Sequence, residues 1–143
     1  MTRAVLDANV MVSGILIPGG TPGAVIAAWR EQRFLLITSL AILTEIERVL
    51  SSPKIARRHG LSHPRLHAFL EELAYFSLQT PGELRLTVVK ADPDDDRHLE
   101  AAVEGNAEYL VSADQHLLEL GEHRGIRILT ARAFLEVLQS QGR

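Results

Sequence analysis

The sequence contains no cysteine, which excludes disulfides, thiolate metal centres and cysteine nucleophiles and fits a reducing compartment. Long hydrophobic runs are also missing. The longest uninterrupted apolar stretch is residues 24–29, far short of the ~18 residues needed to cross a membrane. An acid at position 7 interrupts what would have to be a signal peptide's apolar segment. A soluble, cytoplasmic protein is expected. Positive charge is not in excess: 15 Lys and Arg stand against 18 Asp and Glu, for a net charge of −3 and a pI near 6.1. That balance counts against a surface coated in basic residues for duplex DNA.

What is present describes a globular protein. A length of 143 residues and a mass of 15.8 kDa favour a single domain over 1–143, large enough to bury a sizeable core. The 46% apolar and 23% charged content is ordinary for such a domain and excludes disorder as its main state. Short apolar runs without helical period, at 4–6, 35–38, 84–89, 109–111 and 127–129, read as strands buried on both faces. Helical patterns lie between them. Thr21 with Pro22, Ser39, Ser62, Asp94, Asp114 and Thr130 stand at helix starts. This alternation predicts an α/β fold with a mainly parallel central sheet of about five strands. The stretch 52–78 reads as a helical insertion. The apolar run ending at Trp29 reads as core, with a docking face as the alternative.

The acids are not scattered. In open parallel sheets, ligands bind outside the carboxyl ends of the strands. Asp7 follows the first predicted strand, the run Asp92-Pro93-Asp94-Asp95-Asp96 follows the third, and Asp114 closely follows the fourth. Glu45 lies within a predicted helix, about 200° around it from Glu47. A lone aspartate after a strand most often caps a helix, and an acidic helix start is favoured by the macrodipole. Carboxylates gathered at one sheet edge repel each other unless a cation neutralises them. With oxygen ligands and no thiolate, the expected cation is hard, Mg²⁺ or Mn²⁺. The chemistry this implies is metal-assisted phosphodiester hydrolysis.

Positive charge is concentrated instead. Residues 48–70 contain no acid but hold Arg48, Lys54, Arg57, Arg58 and Arg65. Taking their +5 from the overall −3 leaves −8 on the rest. The stretch reads as a phosphate-contacting arm or, alternatively, as a solvated face or a dock for an acidic partner. Few aromatic residues accompany it, so base-specific stacking is not legible. His59, His63 and His67 have i, i+4 spacing, but Gly60 and Pro64 interrupt the single helix that a shared metal would need.

Four segments in order resemble the motifs of the PIN domain family. They are Val5-Leu6-Asp7-Ala8-Asn9-Val10, Leu43-Thr44-Glu45-Ile46-Glu47-Arg48-Val49-Leu50, Asp92-Pro93-Asp94-Asp95-Asp96-Arg97-His98-Leu99, and Tyr109-Leu110-Val111-Ser112-Ala113-Asp114. The similarity runs along essentially the whole chain. It is greatest to the toxin components of toxin–antitoxin pairs, VapC-like in the broad sense. The resemblance implies a three-layer α/β/α sandwich, often dimeric. It implies a Mg²⁺- or Mn²⁺-dependent ribonuclease acting on single-stranded RNA, with a small antitoxin protein as partner. By motif position, Asp7, Glu45, Asp95 and Asp114 would form the metal site. Ser112 would assist by orienting water or a ligand carboxylate, and Asn9 would support the site from the first loop. Within the third motif Asp92, Asp94 and Asp96 compete with Asp95, and Asp95 best matches the helix phase of the family motif. Two further readings compete. A haloacid-dehalogenase-like phosphatase would need an acid where Asn9 stands. A catalytically silent PIN-fold binding module would be expected to have lost one of the four acids, and none is lost.

Overall fold

The computed structural model describes residues 1–89 and 93–141, and for 93 and 94 the backbone alone. In chain order the elements are β1 (Arg3–Leu6), α1 (Ala8–Leu16), α2 (Thr21–Arg30), β2 (Leu35–Thr38), α3 (Leu40–Ser51), α4 (Pro53–His59) and α5 (His63–Tyr75). These are followed by β3 (Leu78–Gln79), α6 (Pro93–Glu104), β4 (Tyr109–Val111), α7 (Gln115–Leu120), β5 (Glu122–His123), β6 (Ile126–Leu129) and α8 (Ala131–Gln141). The strands form one sheet in the order β3-β2-β1-β4-β6-β5. Every pairing is parallel except β5 with β6, and helices flank the sheet in an α/β/α arrangement. Ala4, Val5, Leu6, Leu36, Ile37, Leu110 and Val111 are all buried, as expected of central strands covered on both faces.

The sheet has six strands where about five were expected, and one expected strand is absent. Residues 84–89 form no strand and pair with none of the described ones. Their side chains still alternate, with Leu84, Leu86 and Val88 turned inward and Arg85 and Thr87 exposed, so the period of two is real. The amides find carboxylates of α6 in place of a sheet edge. Glu104 accepts the N–H groups of Gly82, Glu83 and Leu84 at 3.0–3.2 Å. Glu100 accepts Leu86 N–H at 2.7 Å, and Asp96 Oδ1 accepts those of Val88 and Val89 at 3.0 and 2.9 Å. Positions 96, 100 and 104 share one helix face, which makes α6 a surrogate edge.

Two helices differ from the sequence reading. The nine residues of α1 were not anticipated, because Val10, Met11, Val12 and Gly14 are buried and the exposed stripe is only two residues, Asn9 and Ser13, too narrow to show a helical period. The stretch 52–78 is broken: α4 ends at Gly60, which caps it with φ +61°, and α5 stops at Tyr75, before β3 joins the edge of β2. Trp29 lies in the core, with Nε1 donating to the Phe76 carbonyl at 3.0 Å. Several expected caps form. Ser39 and Ser62 accept the third amide of α3 and α5, and Thr130 accepts Ala133 N–H. Among the described residues no single helix is long and apolar enough to cross a membrane.

Candidate metal centre

The topology locates the site. Successive strands step from β1 to β2 and β3 on one side, and the chain then crosses back to β4 on the other. The switch point is therefore between β1 and β4, and ligand crevices form outside the carboxyl ends of strands at such points. Leu6 stands opposite Val111, so the residues that leave this edge side by side are Asp7 and Ser112. Asp7 N–H still donates to Val111 O at 2.9 Å, and Ser112 N–H to Leu129 O at 2.9 Å. Both are nearly fully buried, at 2% and 0% exposure. Ser112 Oγ donates to Asp7 Oδ2 at 2.7 Å and accepts Asp114 N–H at 2.9 Å.

Asp7 also starts α1. Its Oδ1 accepts Asn9 N–H at 2.9 Å, satisfying one of the amides that a helix N-terminus leaves unpaired. Asn9 thus supports Asp7 through its backbone, while its side chain is exposed. Across the crevice, α6 packs on β1 and β4 and brings in Asp95 and His98, spaced i, i+3 on one face. One ligand atom each from Asp7, Asp95 and His98 lie within 4.8 Å of one another, and all three residues are buried. Among the described residues no lysine or arginine pairs with Asp7; its charged neighbour is His98, whose Nε2 lies 3.8 Å from Oδ1. Donors sharing a hard cation at ~2.1 Å stand about 3–4 Å apart. A group of this reach, with two carboxylates, suits a divalent ion.

The other expected site residues are placed as follows. Glu45 is half-buried and held by Arg48 through two hydrogen bonds of 2.6 and 3.1 Å, outside the 4.8 Å group. It lines the crevice between α3 and α6 with Arg97 and Glu100. Asp114 caps α7, its Oδ1 accepting the N–H groups of His116 and Leu117, and it reaches Asp7 through Ser112. Asp96 is turned to the 88–89 backbone and away from the group around Asp7. Asp92 and the side chain of Asp94 lie outside the described residues. Lys54, Arg57, Arg58 and Arg65 are exposed on α4 and α5, and α4 packs against α1 and α3.

The three histidines at 59, 63 and 67 do not converge. His59 accepts Leu61 N–H on Nδ1 and reaches Leu50 O with Nε2, and His67 pairs with Glu71. The histidine in the crevice is His98, which the sequence reading passed over. Its signal was there: three residues past Asp95 and flanked by Leu99, Ala101 and Ala102, it faces wherever Asp95 faces.

Comparison with known proteins agrees with this architecture. The chain is 25% identical over 142 residues to an uncharacterized protein of Methanocaldococcus jannaschii, covering 94% of this chain and 90% of that one. Its fold resembles a chain in the crystal structure of VapBC2 from Rickettsia felis bound to a DNA fragment from the promoter. The TM-score is 0.56 and the identity 18%, covering 89% of this chain and 97% of the other. Residues 3–116, which hold Asp7, Glu45, Asp95, Ser112 and Asp114, match the family profile of the PIN domain, and on that match the chain belongs to the PIN domain family.

Proposed function

We propose that this protein is a divalent-metal-dependent endoribonuclease that hydrolyses single-stranded RNA, and the toxin of a toxin–antitoxin pair. The observation that carries the reading is the meeting of Asp7 and Asp95 in the β1–β4 crevice, buried and, among the described residues, without a lysine or arginine on Asp7. Family membership supports nuclease chemistry, and the likeness to VapBC2 supports a small antitoxin as partner. Asp7 and Asp95 would hold Mg²⁺ or Mn²⁺, with Glu45 and Asp114 as further acids of the family pattern and Ser112 fixing Asp7. When bound there, such an ion would supply Lewis-acid stabilisation of the charge on a phosphodiester and lower the pKa of a bound water. Arg48, Lys54, Arg57, Arg58 and Arg65 draw the RNA backbone by charge. A homodimer in the cytoplasm completes the reading, with the fold acting as a single domain over 1–143.

The test is cleavage of an unstructured, end-labelled RNA by purified protein with Mg²⁺ or Mn²⁺ and with EDTA. Cleavage should require the ion. Asp7→Asn should lower it by at least about 10³-fold, the scale on which key catalytic groups act, and leave the circular dichroism spectrum unchanged. Cleavage that persists in EDTA, or in Asp7→Asn, overturns the reading. Co-expression with the product of an adjacent small gene should yield a stable, inactive complex.

A further inference from the structure

His98 is buried in the crevice, yet the acids alone satisfy the proposed chemistry. Its hydrogen bonding says what it does. Nε2 accepts the Ala8 N–H at 3.2 Å. An imidazole nitrogen that accepts an N–H carries no proton, and its single in-plane lone pair is committed to that bond. The 3.8 Å approach of Nε2 to Asp7 Oδ1 is therefore proximity without a hydrogen bond. That lone pair is also the one a metal ion would take. The proton sits on Nδ1, which has no hydrogen-bond partner among the described residues.

The amide that His98 holds belongs to the Asp7–Ala8 peptide. The same peptide's carbonyl, on Asp7, accepts Met11 N–H at 3.1 Å. The unit is thus clamped at both ends, with α1 on its oxygen and α6 on its nitrogen. The clamp fixes the rotation about the Asp7 Cα–C bond, at ψ 141°, and with it the direction in which the Asp7 carboxylate leaves the backbone.

Resting on the metal-dependent reading above, we infer that His98 is a positioning residue. It aims Asp7 at Asp95 by holding the Asp7–Ala8 peptide, and it does not ligate the ion. A side chain at 98 must therefore offer an acceptor where Nε2 is. Glutamine does so, because its Oε1 is as many bonds from Cβ as Nε2. Asparagine does not, since its Oδ1 falls at the Nδ1 position, and leucine offers no acceptor.

Mn²⁺ binding to the native protein and to His98→Gln, His98→Asn and His98→Leu, followed by the electron-spin-resonance signal of free Mn²⁺, tests this. His98→Gln should bind within about threefold of native. His98→Asn and His98→Leu should bind about 10–100-fold more weakly, the usual loss when a ligand's support is removed. Spin-echo spectra of bound Mn²⁺ should show no directly coordinated nitrogen. A coordinated-nitrogen signal, His98→Leu binding as tightly as native, or His98→Gln as weak as His98→Leu each overturns the inference. If His98→Leu does not fold, the Gln and Asn variants carry the comparison. Native protein that binds no divalent ion overturns the metal-dependent reading itself, and the inference with it.

Discussion

The Ser112 hydroxyl donates to Asp7 Oδ2 at 2.7 Å while accepting the Asp114 amide at 2.9 Å. One oxygen thereby ties together the ends of two neighbouring parallel strands and the start of α7. Ser112→Ala removes both bonds in a fully buried place. It should lower stability by about 1–2 kcal/mol and weaken divalent binding at least about tenfold. Urea unfolding and calorimetric Mn²⁺ titration measure the two effects. Unchanged Mn²⁺ affinity would mean that Asp7 keeps its direction without the serine.

Adjacent acids on α6 should give opposite phenotypes. Asp96→Ala leaves the buried Val89 amide and the half-buried Val88 amide without their acceptor and should cost about 1–3 kcal/mol of stability, with Mn²⁺ binding retained. Asp95→Asn should abolish tight Mn²⁺ binding at little cost in stability. The same unfolding curve and ion titration on both variants decide it, and a swapped outcome would move the metal site by one residue.

Replacing Lys54, Arg57 and Arg58 together by alanine should weaken single-stranded RNA binding about equally for all sequences. It should also reduce the slope of log affinity against log salt by about 2, at ~0.7 per lost phosphate contact. Filter binding at several salt concentrations reads the slope. An unaltered slope would place the RNA path away from α4.

The turn between α1 and α2 offers a paired test of packing. A Cβ on Gly23 would lie 2.1 Å from the Pro18 carbonyl oxygen, whereas one on Gly19 meets nothing within 4 Å. Gly23→Ala should lose about 1–3 kcal/mol and lower Tm by roughly 5 °C for a chain of this size. Gly19→Ala should be neutral or gain up to about 1 kcal/mol through the unfolded state. Thermal melts of both compare them directly.

How far the molecule was legible follows from which interactions are local. Strands β1, β2 and β4 announced themselves because both faces are largely buried and the run is almost wholly apolar, whereas β6 keeps one face exposed at Arg127 and shows a period of two. Caps such as Ser39, Ser62, Asp114 and Thr130 act on amides two or three residues away, so they too were visible. Asp7 could be picked out because a buried strand runs straight into it. What hid was decided at long range. The alternation in 84–89 is the same whether its amides face a strand or the carboxylates of a helix, and the period does not name the acceptor. His98 meets Ala8 across ninety positions, and α1 conceals its helix because only Asn9 and Ser13 interrupt its apolar residues. Asp96 resembles Asp95 in sequence and is distinguished from it by one step around α6, about 100°.

The carboxylate ladder on α6 has a consequence for how the protein opens. Side chains of a single helix provide six amides of the 82–89 segment with their acceptors, so the segment's backbone hydrogen bonding depends on that helix. The two form one cooperative unit: fraying at the Glu104 end loosens Gly82 to Leu84, and melting of the first turns frees Val88 and Val89 together with Asp95. Amide hydrogen exchange at Leu86 and Val89 should therefore keep pace with α6 and not with the strands of the sheet. The half of the crevice that α6 supplies would then come and go as a block, leaving Asp7 in place on β1.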